Sequence, residues 1–353
     1  MGFYALIMAG GIGTRLWPLS RETRPKQSLA LFGESSMFSQ AVERIRPLFQ
    51  SEQIFVATSA DQKGLLSSQV PDLPNENFII EPQGKGTAPC IGLSAVYLLR
   101  HDPNAVMAVL AADHRITDGE RFCKVLGAAE QVAAQGHLVT LGITPSHPST
   151  GYGYIKQGRK LDTVEGFSVF RADQFTEKPD PDTARQMVES GEFSWNSGMF
   201  IWRVDRILEE LERQMPLFHS QLAEIESTLD NPMYDETLRR IWPQVTKQTI
   251  DYGVMENADD VVVIAADIGW SDVGSWASLN SLLPHDAEGN HINSPHIGID
   301  TRDSLIWGNK RLIATIGLEE VIIIDTEDAL LICPMDREQE VREIVRQLEK
   351  EHR

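Results

Sequence analysis

The run Met8-Ala9-Gly10-Gly11-Ile12-Gly13-Thr14-Arg15-Leu16 sets a glycine-rich loop directly behind a short apolar stretch, and the cations Arg15, Arg21, Arg24 and Lys26 lie in or just after it. Glycines let backbone N–H groups turn inward and approach phosphate oxygens with no Cβ in the way. Taken alone, such a loop is equally a tight turn, and such cations a solvated face. At the carboxyl end of a first strand they read as a cradle for a triphosphate, because ligands of open α/β sheets gather at those strand ends. Spacing excludes two other phosphate motifs. A dinucleotide fingerprint requires glycine where Leu16 stands, and a P-loop requires Gly-Lys-Ser/Thr after four intervening residues.

Two aspartates could share that ligand. Asp113 follows the apolar stretch 105–111 in Leu110-Ala111-Ala112-Asp113-His114, and Asp272 follows 261–266 in Gly269-Trp270-Ser271-Asp272-Val273-Gly274. Hard carboxylate oxygens suit Mg²⁺, which takes one or two protein carboxylates and completes its shell with phosphates and water. The competing reading is that Asp113 caps the helix after it and Asp272 the helix beginning near Ser275. His114 alone is no ligand set. A third carboxylate, Glu81, opens the loop Pro82-Gln83-Gly84-Lys85-Gly86-Thr87. It could accept from the adjacent N1–H and N2–H₂ of guanine. The same stretch is also an ordinary strand-to-helix turn with Thr87 as N-cap.

These residues need a scaffold. Apolar runs at 3–8, 54–58, 78–81, 105–111 and 138–143 alternate with helical stripes such as Phe38, Ala41, Val42, Ile45 and Phe49, the pattern of a layered α/β sheet. From about Thr150, Gly/aromatic strands at 152–156, 167–172 and 199–202 suggest an inserted mixed or antiparallel part. Helices are expected at 205–214 and 235–242. The polar segment 284–290 marks a boundary between a domain of residues 1–283 and one of residues 284–353. Past it, β-rich pieces at 305–306, 312–316, 321–324 and 329–332 precede a charged helix from about Arg337, as in a small solenoid-like stack.

The 353 residues fit a prior of roughly one domain per ~150, and 42% hydrophobic residues supply a sizeable core. With 51 acidic against 32 basic side chains, the net charge of -19 disfavours nucleic acid and anionic membranes as partners. A phosphate ligand must therefore meet a local cluster of cations. Cys90, Cys123 and Cys333 show no metal or disulfide spacing and are expected to be reduced thiols. No signal-type segment opens the chain and no apolar run approaches ~18 residues, so a cytoplasmic location is expected.

Gly10 to Leu16, extended by Trp17-Pro18-Leu19-Ser20-Arg21 and Pro25-Lys26-Gln27, resembles the signature of sugar-nucleotide pyrophosphorylases, in particular their mannose-1-phosphate guanylyltransferase branch. The resemblance implies a Rossmann-like nucleotidyltransferase core with a mixed central sheet and a small C-terminal, left-handed β-helix-like domain. It implies that Arg15 and Lys26 hold the triphosphate of GTP and the charge developing at its α-phosphorus, with Gly10, Gly11, Gly13 and Thr14 supplying loop contacts. The motifs around Asp113 and Asp272 resemble the family's metal sites, which makes these two the Mg²⁺ ligands. The stretch from Glu81 resembles the guanine loop and makes Glu81, Pro82, Gly84 and Thr87 nucleotide contacts. It departs from the family in carrying Lys85-Gly86 where Arg-Asn is expected, which puts base selectivity in doubt because lysine does not replace a bidentate arginine. Gly151-Tyr152-Gly153, Phe175-Thr176-Glu177-Lys178-Pro179 and Trp195-Asn196-Ser197-Gly198 resemble the sugar motifs. By them Glu177 and Asn196 meet hydroxyls, Lys178 the sugar phosphate, and Gly153 allows close backbone approach. Read singly, Glu177-Lys178 is a surface ion pair and Asn196 a turn residue.

The activity so implied is transfer of GMP from GTP to mannose 1-phosphate by direct in-line displacement. A sugar 1-phosphate is already anionic, so no general base is nominated, and positioning and electrostatics carry the reaction. No place is seen for the phosphomannose isomerase module of longer relatives, so a single activity is expected. Rival readings are another sugar 1-phosphate, of heptose or glucose type, another nucleotide, and a silent sugar-nucleotide-binding regulatory subunit. A homodimer is expected, with the strand edges of the C-terminal part as its contact.

Overall fold

The computed structural model describes residues 2–348 and resolves them into two units. The first comprises the chain up to Gly10, Ser39–Ala112 and Ile116–Trp270. Its strands are β1 (Phe3–Met8), β2 (Ile54–Ser59), β3 (Phe78–Glu81), β4 (Val106–Ala111), β6 (Leu138–Ile143), β7 (Tyr154–Val164), β8 (Phe167–Thr176), β9 (Phe193–Arg203) and β10 (Val261–Ala265); the two-residue strands β5 (Arg115–Ile116) and β11 (Trp270–Ser271) lie at unit boundaries. The nine long strands form one sheet in the order β3-β2-β1-β4-β9-β6-β10-β8-β7.

β1 pairs in parallel with both β2 and β4, and β2 with β3. Strands buried on both faces read as continuous apolar runs, which is why these four are legible as Phe-Tyr-Ala-Leu-Ile-Met and its like. Strand order reverses at β1, because β2 and β4 flank it on opposite sides. That reversal is a topological switch point, and the glycine loop leaves the sheet there. The expected mixed or antiparallel part is present as β7, β8 and β9, which join the same sheet through antiparallel pairings. Helix Thr87–His101 packs Ile91, Leu98 and neighbours into a core that also holds Phe200, Trp202 and Trp242.

The second unit comprises Gly11–Phe38, Asp113–Arg115 and the chain from Ser271 onward. Its strands are β12 (His291–Asn293), β13 (His296–Ile299), β14 (Leu305–Trp307), β15 (Ile313–Ile316), β16 (Val321–Asp325) and β17 (Leu330–Pro334). β12, β14 and β16 stack in parallel, β13 pairs in parallel with β15, and β17 closes the stack antiparallel to β16. Parallel rungs in two faces are the pattern of a short solenoid. The glycine turn is buried with this stack, since Leu16, Trp17 and Leu29 share a core with Val273, Trp276, Leu305, Ile322, Ile324 and Val341. The unit therefore draws on chain well before residue 284, including the loop and both candidate aspartates. Among the described residues no helix is long and apolar enough to cross a membrane.

Candidate active site

Within the second unit one cavity of about 260 Å³ is lined by Gly13, Thr14, Arg15, Lys26, Asp113 and Asp272, joined by Leu16, His114, Gly274 and Arg342. The four residues on which the reading of the sequence turns thus face one space. Gly13 adopts φ 74°, and a Cβ there would stand 2.4 Å from Lys26 Cβ, so the turn closes on the lysine only with glycine. The Lys26 N–H donates to Ile12 O at 3.0 Å and Gln27 Nε2 to Gly11 O at 2.9 Å, which fastens the loop to the segment carrying the lysine.

Lys26 is buried, and its ammonium donates to Asp113 Oδ2 at 2.8 Å and to the Asp272 carbonyl at 2.6 Å. Burial pushes the Asp113 carboxyl up, but the charges of Lys26 and His114 and the Lys26 hydrogen bond outweigh it and hold it below the ordinary carboxylate value. The capping alternatives fail. Helix Gly119–Ala133 is capped by Asp118, and helix Trp276–Asn280 by its own Ser275, while Asp272 Oδ1 accepts from the Gly274 N–H at 3.1 Å. Between them Val273 sits at φ 48°, an unusual conformation for a β-branched residue, and is wholly buried. Burial of that side chain, about 1.5–3 kcal/mol in favour, holds the strained turn that aims Asp272.

Two of the four cations go elsewhere. Arg21 pairs through one nitrogen with both oxygens of Asp328 at 3.0 Å, and with Arg24 it lines a different cavity of about 590 Å³ beside Trp307. Arg342, over three hundred positions further along the chain, also lines the first cavity. No periodicity distinguishes it among the charges of its segment.

The base loop belongs to the first unit. Glu81 is 6% exposed, one of its oxygens has no partner among the described residues, and a Cβ on Gly10 would lie 3.5 Å from the other. Burial raises its pKa to about 7 against a lowering hydrogen bond with Cys90. Thr87 is not the N-cap: Gly86 holds that position, and the Thr87 hydroxyl accepts from the Ile250 N–H at 2.8 Å. Gly84 and Pro82 are exposed, and a Cβ on Gly84 or Gly11 would meet nothing. The loop is strapped to the segment 242–250, since Trp242 Nε1 donates to Gln83 O at 2.7 Å and the Gln248 N–H to Lys85 O at 2.9 Å.

The sugar motifs also meet in the first unit. A Cβ on Gly153 would stand 2.4 Å from Glu177 Oε2 and 3.3 Å from Asn196 Cβ. Glu177 is ion-paired with Lys178, itself at φ 48°. Asn196 Oδ1 accepts from the Gly198 N–H at 3.0 Å, and its Nδ2 donates to Asp251 Oδ1 at 2.8 Å. Reading by motif passes over Asp251, which opens the π-helical turn Asp251–Met255, a geometry frequent at functional sites. Burial, then the charge of Glu177, pushes its pKa up to about 6 against the Asn196 bond and the Lys178 charge.

A mixed sheet with a glycine loop at its switch point, cations and paired carboxylates defines a class, and comparison agrees with it. The family model described as nucleotidyl transferase matches residues 4–289, and one described as a MannoseP isomerase/GMP-like beta-helix domain matches residues 294–348. The mannose-1-phosphate guanylyltransferase of Escherichia coli K12 is 38% identical over 358 residues, covering 99% of this chain and 74% of the relative. A crystal structure described as mannose-1-phosphate geranyltransferase from Thermus thermophilus superposes with a TM-score of 0.88 at 32% identity, covering 98% of this chain and 99% of that one. A mannose-6-phosphate isomerase from Helicobacter pylori superposes with a TM-score of 0.63 at 25% identity, covering 77% of this chain and 100% of that one. The chain belongs to the mannose-1-phosphate guanylyltransferase branch of the nucleotidyl transferase family.

Proposed function

We propose that this protein transfers GMP from GTP to mannose 1-phosphate, forming GDP-mannose and pyrophosphate. The observation that carries the reading is the single cavity shared by the glycine turn, Arg15, Lys26, Asp113 and Asp272. Loop N–H groups from Gly11 to Thr14 and the two cations receive the triphosphate and stabilise charge on the equatorial oxygens at the α-phosphorus. A phosphate oxygen of the sugar attacks that phosphorus, and the bond to the bridging oxygen breaks opposite it. Pyrophosphate leaves with the electron pair, and no proton need move.

Asp113 and Asp272 fit a Mg²⁺ site, because two hard carboxylates with phosphates and water complete its preferred shell. When bound, the ion would neutralise polyphosphate charge and polarise the phosphoryl oxygens. Lys26, already on Asp113 and the Asp272 carbonyl, holds both carriers in place for it.

Glu81 accepts the two donors of guanine, which satisfies its orphaned oxygen. Asn196 is held by Asp251 and Gly198 and offers its remaining amide proton to a sugar hydroxyl beside Glu177. Lys178 turns from Glu177 to the sugar phosphate. Ile297, Ile299, Leu312 and Ile316, all exposed on or beside β13 and β15, suit the contact of a homodimer, which light scattering would reveal.

The test is pyrophosphate release with Mg²⁺, crossing GTP, ATP, UTP and dTTP against mannose, glucose and heptose 1-phosphates, with mannose 6-phosphate isomerisation measured in parallel. GTP with mannose 1-phosphate is expected to exceed every other pair. No release from any pair would end the reading.

A further inference from the structure

We propose that Arg342 is a phosphate-binding residue of this site, delivered by the C-terminal helix to the polyphosphate of the nucleotide and to the pyrophosphate product. The proposal rests on the nucleotidyltransferase reading and extends it to a part of the chain that carries no catalytic motif.

Helix Val341–Gln347 is seated on the glycine turn by two valines. Val341 is 2% exposed in the core with Leu16 and Trp17, and Val345 lines a small cavity with Ile12, Thr14 and Trp17. Residues four apart share one helix face, so this pair fixes the helix along the loop. The turn before it is tied to the other side of the site: buried Glu338 accepts the Ala277 N–H at 2.5 Å, in the helix that follows Asp272, and Trp276 Nε1 donates to Trp17 O at 3.0 Å. The C-terminal segment thus braces both the glycine turn and the Asp272 turn.

Arg342, next to Val341, lines the same cavity as Arg15, Lys26, Asp113 and Asp272. The charges there explain the need for it. Lys26 is engaged with Asp113 and with the Asp272 carbonyl, and Arg15 Nη1 makes a long 3.4 Å contact to Gly274 O. In a chain of net charge -19, a polyanion entering this space needs further positive charge close by. A planar guanidinium with donors in a fixed fork suits phosphate oxygens. Sugar phosphate has its own candidate in Lys178, so Arg342 is assigned to the nucleotide.

Calorimetry of pyrophosphate and of GTP, with steady-state kinetics, compares wild type with Arg342→Ala, Arg342→Gln and Arg346→Ala. Arg346 lies on the same helix, paired with Glu343. Both Arg342 variants should bind pyrophosphate and GTP at least about tenfold more weakly, the scale of one charge-assisted contact. Their KM for GTP should rise in step, while KM for the sugar 1-phosphate stays within about twofold, and Arg346→Ala should match wild type. Arg342→Gln keeps the stem and helix propensity and decides the matter if the alanine variant melts early. Wild-type pyrophosphate affinity in Arg342→Gln, or an equal loss in Arg346→Ala, would overturn the proposal while leaving the functional reading intact. A wild-type protein that binds neither GTP nor pyrophosphate would overturn both.

Discussion

The two units solve recognition by different physics. In the second, the cavity is lined by opposed charges in mutual contact, Lys26 against Asp113 and the Asp272 carbonyl, and the strained Val273 turn fixes their geometry. In the first, carboxyl groups sit where their charge is disfavoured: Glu81 is buried with one oxygen lacking a partner among the described residues, and Asp251, half-buried, accepts from Asn196 near Glu177. Charge handles a ligand whose own charge is the problem, as phosphoryl transfer requires. Buried acceptors discriminate between neutral donors, because a wrong ligand leaves them unpaired. Variants of the two aspartates in the second unit should therefore strike turnover, and variants of the buried acceptors in the first should strike KM and selectivity.

The largest effect is expected at the carboxylates. Asp113→Asn and Asp272→Asn should each lower kcat in the pyrophosphate-release assay by at least about 100-fold, the scale of losing a principal electrostatic element. Asp113→Asn also leaves the buried Lys26 ammonium without its counter-charge, so its melting temperature should fall as well. If either variant kept near-normal kcat and changed only KM, the division of labour between the units would be wrong.

Glu81→Gln should leave kcat within a few-fold, raise KM for GTP by about tenfold to 100-fold, and narrow the preference for GTP over ATP. Its pH dependence sharpens the point. The folded pKa is about 7, above the ordinary 4.5, so the ionised acceptor is lost as pH falls through 7 and GTP affinity should fall with it. Stability runs the other way. A carboxyl raised in the folded state contributes most below pH 4.5 and loses that contribution as pH rises through 7, a change of about 3 kcal/mol. Denaturant melts of wild type should show this component, and melts of Glu81→Gln should lack it. A flat KM for GTP between pH 6 and 8 would remove Glu81 from base recognition.

The same contrast sets what can be read from the chain. The charged site is visible because its parts are local: a glycine turn after an apolar strand, and aspartates after two more. Arg342 is invisible because nothing in its own helix distinguishes it, and only the burial of Val341 beside Leu16 brings it to the cavity. Arg21 and Arg24 mislead for the same reason, since sequence proximity cannot show Asp328 drawing Arg21 away. Strand β9 is legible only at 199–202 because Ser194, Asn196 and Ser197 interrupt its apolar pattern; they are buried all the same, with Ser197 donating to Leu141 O at 2.7 Å. Asp251 lies in a segment whose role depends on Asn196, far away in sequence.

The smallest effect is expected at Asp251. Asp251→Asn keeps the shape of the side chain but removes a half-buried carboxyl whose pKa is raised to about 6, so stability at pH 8 should hold or rise. The Asn196 amide would lose an ionised acceptor, and the hydroxyl contact it aims would loosen. KM for mannose 1-phosphate should rise about threefold to tenfold, with KM for GTP and kcat nearly unchanged, and discrimination against glucose 1-phosphate should weaken by a similar factor. A purely structural role would instead lower the melting temperature and move both KM values together. A fall in kcat of the size expected for Asp113→Asn would mean that the sugar side, too, works by charge at the reacting phosphorus, and the contrast between the two units would fail.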